Sequence, residues 1–385
     1  MKIFLSFLQS EKRYAIPAYG FWEYYIKNGI TEAGHEWTEC PGVDWALGLV
    51  PQSDEEHSKW KEITWSKTID RLKKNPADLF LSYLYPKQVD VSAVNEIKKL
   101  GIPCVNFFCD HVREFRKLPA EFEVFDLNWV PEHKAISLYK KANRPYINLP
   151  MPMWVNPAKR VLKPEINQQL TFIGSKDIQR VLFLERVISL APDLPLVIYG
   201  SGWQDDNLIT PGSSLEYTFA KKIKFNTDFI KNEGLEAFVR KIKHRKRAAH
   251  VSGALETITN RLLGDDEYNS LSAASMVTIG INRYPSFKFP LDKPDTYSRL
   301  RDIEAPMLGA CYLTEWTEGI EDLYDTEKEI LTYKDDVSFI EQCRRLMRDP
   351  MLRKQLKKNG QLRALSGHTV SRSIEAIRIK IFDAK

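Results

Sequence analysis

The stretch Asp295–Ala310 (DTYSRLRDIEAPMLGA) brings several reactive side chains close together. Arg299 and Arg301 are permanent cations, Thr296 and Ser298 carry hydroxyl donors, and Glu304 carries a carboxylate. Pro306 lacks an N–H and clashes one turn back, so a helix tolerates it only near its start. The spacing therefore predicts a short helix over Ile303–Leu308 with Asp302 as its N-cap. Glu304 would then lie in the first turn, beside N–H groups that form an anion site with the helix dipole. Such a cluster suits a diphosphate with a ribose beside it, and Arg299 and Arg301 would stabilise charge on a departing phosphate. The same residues also read as a capped surface helix with charged flanks.

Other segments offer weaker chemistry. Gly174-Ser175-Lys176 closes a strand and precedes a helix, so its backbone N–H groups can approach a phosphate that Lys176 or Arg180 neutralises. It reads equally as a tight turn between strand and helix, and the pattern G-x-x-x-x-G-K-[ST] is absent. Gly200-Ser201-Gly202 ends another strand, and Tyr268-Asn269, just before the helix leading to Met276, is placed to reach a nucleotide or to start that helix. Asp110 and His111 follow the strand Pro103–Cys109; either can deprotonate a hydroxyl, although Asp110 also suits a helix cap. The loop Tyr14–Trp22, with Tyr19 and Gly20, offers aromatic faces for stacking an acceptor, against core packing for Phe21 and Trp22. The seven histidines form no H-E-x-x-H or similar metal spacing, so metal-independent chemistry is expected.

The elements that must position these groups alternate. The chain has 385 residues, comfortable for two domains. Buried apolar runs such as Asp78–Tyr83, Pro103–Cys109, Gln169–Ile173, Leu196–Tyr199 and Met276–Ile281 are interspersed with amphipathic stretches such as Ser92–Leu100 and Arg180–Leu190. That alternation predicts α/β architecture with parallel sheets covered on both faces. The proline-rich LPMPMWVNPAKRVLKP (149–164) suits neither helix nor central strand and marks the crossing between domains. The expected division is a first domain over 1–152, a linker over 153–167, a second domain over 168–366 with a basic insertion at 204–266, and a final amphipathic helix in 367–385. No apolar run reaches the roughly 18–20 residues of a membrane span, and the start reads as a strand rather than a signal peptide. The cysteines Cys40, Cys104, Cys109, Cys311 and Cys343 have no zinc spacing, so reduced buried thiols and a cytoplasmic location are expected.

The segment Glu304-Ala305-Pro306-Met307-Leu308-Gly309-Ala310, leading into Cys311–Thr314, resembles the E-A-x-x-x-G segment of GT-B glycosyltransferases. Glu318–Glu321, Glu327–Tyr333 and Asp349–Arg353 follow in the order of that family. The pattern R-x-x-E-x-P at Arg301–Pro306, the strand end Phe172-Ile173-Gly174-Ser175 and the strand end Tyr199-Gly200-Ser201-Gly202-Trp203 resemble the CgeB-like (spore maturation protein) glycosyltransferases. The resemblance covers most of residues 168–365. It implies a GT-B fold, two Rossmann-like domains facing across a cleft, with a nucleotide-sugar donor, expected to be a UDP-sugar, in the C-terminal half. It implies that Glu304 contacts the donor ribose, that Gly200–Gly202 lies beside the donor, that the final helix in 367–385 returns to the first domain, and that the domains close over the donor. Many retaining members carry a second glutamate eight positions earlier, where this chain has Thr296, so the stereochemistry stays open.

A net charge of +5 demands no polyanionic partner, but Arg240–Arg247 (RKIKHRKR) concentrates basic residues. It reads as a solvated helix face or as a contact for an anionic acceptor or membrane surface. The acceptor is a sugar, glycan, protein or nucleic acid. The rival to a transferase is a nucleic-acid- or polyanion-binding protein on a non-catalytic scaffold of the same fold.

Overall fold

The computed structural model describes residues 1–12, 14, 19–204, 227, 229–230, 234–249 and 251–383. The chain divides into two compact units: Met1–Asn156 with Ala364–Lys385, and Pro157–Arg363.

The first unit holds a parallel sheet of β1 (Lys2–Ser6), β2 (Glu36–Thr38), β3 (Leu79–Tyr83), β4 (Cys104–Phe107), β5 (Leu127–Trp129) and β6 (Tyr146–Ile147), in the order β2-β1-β3-β4-β5-β6. β3, β4 and β5 are buried along their whole length, as strands covered by helices on both faces must be. The helix Asp54–Lys74, absent from the sequence expectations, flanks this sheet. Its signal was present: Ser53 accepts a hydrogen bond from the Glu56 N–H, and the Glu56 carboxylate accepts from the Ser53 N–H at 2.9 Å. Asp54, Glu55 and Glu56 fill its first turn and Arg71, Lys73 and Lys74 its last, complementing the helix dipole. Trp60, Thr64, Trp65, Thr68, Ile69 and Leu72 form its buried face. The C-terminal helix Val370–Arg378 buries Val370, Ile374 and Ile377 and packs on the helix Tyr19–Glu32.

The second unit holds β7 (Leu170–Ile173), β8 (Leu196–Tyr199), β9 (Thr259–Asn260), β10 (Val277–Gly280), β11 (Tyr312–Glu315) and β12 (Leu331–Tyr333), parallel in the order β12-β11-β10-β7-β8-β9. The chain runs outward from β7 through β8 to β9 and then returns to the opposite side at β10. The sheet therefore has its switch point between β7 and β10, where open α/β sheets bind ligands beyond the strand carboxyl ends. Residues 204–266 are not wholly an insertion, because β9 pairs with β8 (Ile198 opposite Thr259) and completes the sheet. All five cysteines are buried free thiols. Among the described residues, no helix is long and apolar enough to cross a membrane.

The capping box of Asp54–Lys74 is separable from the rest of the fold. Ser53→Ala is expected to lower stability by about 1 kcal/mol, read as a lower urea midpoint, whereas Lys59→Ala on the exposed face of the same helix should leave it unchanged.

Candidate functional site

At the switch point of the second unit, β7 leads into Gly174-Ser175-Lys176 and the helix Ile178–Leu190, and β8 leads into Gly200-Ser201-Gly202. The two turns are zipped together. The Gly174 N–H donates to the Tyr199 carbonyl at 2.8 Å and the Lys176 N–H to the Ser201 carbonyl at 2.9 Å, while Gly174 O accepts from the Trp203 indole at 2.6 Å. Gly200 has φ +144°, and a Cβ there would stand 2.2 Å from Gly174 O, so the approach requires glycine. This corrects the expectation of a phosphate cradle: the amides of Gly174 and Lys176 are spent within the protein. The exposed Ser175 and the half-buried Lys176 side chains remain at the turn.

Arg180 shapes the same turn from the following helix. It is buried, donates to Ser175 O at 2.6 Å, and pairs with Asp177 at 3.1 Å. Asp177 caps that helix by accepting from the Gln179 and Arg180 N–H groups. Burial first, then the like charge of Arg299, with Arg301 adding to it, pulls the Arg180 guanidinium below the ordinary arginine range, to about 10.

Arg299 and Arg301 come from the other side of the switch point. The helix here spans Leu300–Met307, so Arg299 is its N-cap and Asp302 its third residue. The expected N-cap at Asp302 is thus corrected, and Glu304 lies beyond the free N–H groups of the first turn. The reason is Asp302 itself, which is buried and reaches back to accept from the Arg299 N–H at 3.0 Å. Its carboxylate also accepts from Tyr312 at 2.9 Å, Thr314 at 2.8 Å and the Asn282 amide at 3.1 Å. Burial holds this carboxyl above the usual aspartate range, and the bonds from the Arg299 N–H, Thr314, Tyr312 and Ser298 pull it back. The helix start is thereby fixed to β11 and to the end of β10.

From that start the cations project. Arg301 donates to the carbonyl of Ile173, the last residue of β7, and lies over the Tyr268 ring. Arg299 donates to the Tyr297 hydroxyl at 2.9 Å. Glu304 is buried and accepts from the Tyr268 hydroxyl. Tyr268 and Asn269 sit inside the helix Asp265–Ala274, not before it as expected, with Tyr268 turned toward Glu304 and Arg301. Thr296 donates to the Trp316 carbonyl at 3.2 Å.

Sequence reasoning missed the strand pairing that holds Arg299. Asn282–Tyr284 and Asp295–Tyr297 run antiparallel, with Tyr284 N–H on Asp295 O and Tyr297 N–H on Asn282 O. Tyr284 stacks on Tyr297 at 4.1 Å and on Phe289 at 4.3 Å. The root of this hairpin is a buried ion pair, Arg283 to Glu315 at 2.8 Å. Arg283 and Glu315 are far apart in sequence, and only the pairing of β10 with β11 brings them together.

In the first unit, Asp110 follows β4 and lies 3.7 Å from Arg113, partly exposed. His111 does not face solvent. It has no exposed surface, its Nε2 lies 2.7 Å from the Tyr139 hydroxyl, and Phe108, Phe115 and Phe122 surround the ring. The expectation of an acceptor base at His111 is corrected on that ground: the ring fills the core between Glu132 and Tyr139. Tyr19 and Gly20 begin the helix Tyr19–Glu32; their side chains and residues 15–18 lie outside the described residues. Among the described residues, no group of His, Cys, Asp and Glu gathers with metal-binding geometry.

This arrangement agrees with the comparisons. Residues 179–378, more than half of the chain, match the family described as glycosyl transferase-like, and the protein belongs to that family. Its fold is shared by sucrose-phosphate synthase from Thermosynechococcus elongatus, with a TM-score of 0.61 at 12% identity over 100% of both chains. A glycosyltransferase from Rickettsia africae aligns with a TM-score of 0.58 at 11% identity, over 100% of this chain and 99% of that one. Anabaena HepE in complex with UDP aligns with a TM-score of 0.56 at 11% identity, over 98% and 99%. No curated protein matches the sequence. The two parallel α/β sheets thus have GT-B glycosyltransferases as structural neighbours.

The strictest steric test of the Asp302 network is Gly280. A Cβ there would stand 2.2 Å from the Tyr312 hydroxyl and 2.3 Å from that of Thr314, the two hydroxyls that bond Asp302. Gly280→Ala is expected to cost about 1–3 kcal/mol by overpacking, measured by urea unfolding. A midpoint equal to wild type would mean that the two hydroxyls can move without loss.

Proposed function

We propose that this protein transfers a sugar from a nucleotide-sugar, most simply a UDP-sugar, and that the donor diphosphate binds at the arginine cluster of Pro157–Arg363. The observation that carries the reading is the convergence of Arg180, Arg299 and Arg301 at the switch point between β7 and β10. Arg299 and Arg301 act as like charges on Arg180, which its partner Asp177 opposes, and a diphosphate would relieve that repulsion. Arg180 shapes the Gly174–Lys176 turn, while Arg299 and Arg301 face the phosphates with Lys176 and Ser175. Neighbours described as bound to UDP, UDP-glucose and UDP-2-fluoro glucose support a donor of this class. The ordered motifs Phe172–Ser175, Tyr199–Trp203 and Arg301–Pro306 support a place in the CgeB-like branch. Glu304, held by Tyr268, receives the ribose hydroxyls; Asn269, Thr296, Ser298 and Gly200–Gly202 complete the donor surroundings. The acceptor side is assigned to the first unit, with Asp110, Tyr19 and Gly20 as its residues. Charge on the leaving phosphate is stabilised by fixed guanidinium groups, without a protein-bound metal.

The ribose assignment has a binding readout. Glu304→Ala removes a charge-assisted acceptor and is expected to weaken nucleotide affinity by about 1.5–3 kcal/mol, roughly tenfold to more than a hundredfold. Calorimetry with UDP checks this, and unchanged affinity in the folded variant would remove Glu304 from the site.

The leaving-group role has a kinetic readout. Replacing Arg299 and Arg301 together by alanine is expected to lower the rate of donor hydrolysis or transfer by at least about a hundredfold, the scale of losing one preorganised electrostatic contact. Equal turnover in the double variant, with circular dichroism as in wild type, would reject the role.

A further inference from the structure

The helix Leu235–Ala249 (LEAFVRKIKHRKRAA) plays no part in the donor site described above. It packs against the helix Ile178–Leu190 and buries Ala237. The Arg240 guanidinium fastens it by donating to Phe287 O at 2.8 Å and Lys288 O at 2.6 Å. The opposite face is unlike that of an ordinary solvated helix. Leu235, Val239 and Ile242, at i, i+4 and i+7, are 64%, 56% and 60% exposed and form an aliphatic row. The exposed Lys243 flanks the row. Only Glu236 is acidic in this helix, against Arg240, Lys241, Lys243, Arg245, Lys246 and Arg247.

We propose that this helix docks the protein on an anionic lipid bilayer, lying in the interface with Leu235, Val239 and Ile242 among the acyl chains and Lys243 among the headgroups. The choice of occupant follows from the aliphatic row with Lys243 beside it, on a helix whose sequence carries six lysines and arginines against one acid. A nucleic-acid backbone rewards the cations and leaves the aliphatic row in water. A bilayer interface rewards both, because apolar insertion and attraction to anionic headgroups add. Attachment is peripheral, since among the described residues no helix can span the bilayer. The proposal is independent of donor chemistry and needs no nucleotide.

The test is co-sedimentation of the full chain with vesicles of phosphatidylcholine alone and of phosphatidylcholine with about one-third phosphatidylglycerol. The protein is expected to bind the anionic vesicles and to be released by high salt. The triple variant Leu235→Ser, Val239→Ser, Ile242→Ser is expected to bind about tenfold more weakly or worse, and Lys243→Glu with Lys246→Glu likewise. Because the substituted apolar residues are exposed, an unchanged thermal melt certifies the fold. Absence of wild-type binding to anionic vesicles overturns the proposal, and so does a triple variant that binds as wild type. Retention by duplex DNA at the same salt, equal in wild type and triple variant and tighter than on vesicles, overturns it in favour of a polyanion surface.

Discussion

Asp302 is a carboxylate buried in the second unit, and what surrounds the arginine cluster is built from it. Its two oxygens receive Tyr312 and Thr314 from β11, Asn282 from the end of β10 and the N–H of Arg299. A buried carboxylate without hydrogen bonds is costly, and satisfying both oxygens makes the group a clamp whose partners cannot shift independently. The helix Leu300–Met307 therefore starts at one place and in one rotational phase. Moving that start by one residue would swing Arg301 by about 100° around the helix axis, away from the Ile173 carbonyl at the end of β7. The phase of one short helix thus decides which side chains reach the end of β7.

That clamp works with a second one. The hairpin between β10 and the helix is rooted by Arg283 and Glu315, a buried pair whose attraction must offset the desolvation of both ions. Asn282 bridges the two clamps, since its N–H reaches Glu315 and its amide reaches Asp302. The stacked rings of Tyr284, Tyr297 and Phe289 then stiffen the hairpin up to Arg299. Arg299 and Arg301 stand as like charges beside Arg180, whose counter-ion is Asp177. The network makes that arrangement persist. Cations held in this way need not reorganise, which is the condition for the leaving-phosphate role proposed for them.

How much of this could be read in the sequence varies with the range of the interaction. β3, β4, β7, β8 and β10 were legible because a strand buried on both faces must be a short apolar run. The switch point was half legible: the glycine-containing strand ends were seen, but not that the Gly174 and Lys176 amides pair with the β8 turn. That pairing depends on strand register, a contact between segments far apart in the chain. Asp302 was assigned as a cap from local spacing, whereas its real position depends on Tyr312, Thr314 and Asn282, none of them helical neighbours. His111 has the chemistry of a base, but its use depends on burial, and the rings that bury it come from Phe115, Phe122 and Tyr139 as well as from adjacent Phe108. The Asp54–Lys74 helix is the contrary case: Ser53 and Glu56 carried a local signal, yet the helix was not among the sequence expectations.

Thr296 shows how the same network bears on the chemistry. Its backbone pairs with Arg283 across the hairpin, and its hydroxyl donates to the carbonyl of Trp316. A carboxylate has no proton to give that carbonyl and would face it with like charge, so a glutamate at 296 would loosen the hairpin that positions Arg299. The cation held at this root, Arg283, is already matched by Glu315. Position 296 is thus a fastening point of the hairpin. The ionisable side chains gathered at the switch point are Arg180, Arg299 and Arg301 together with Asp177, which pairs with Arg180, Asp302, which is held by the clamp, and Glu304, which is restrained by Tyr268. In the proposed reaction these cations hold the charge of the departing nucleoside diphosphate, and activation of the attacking hydroxyl falls to groups outside this cluster.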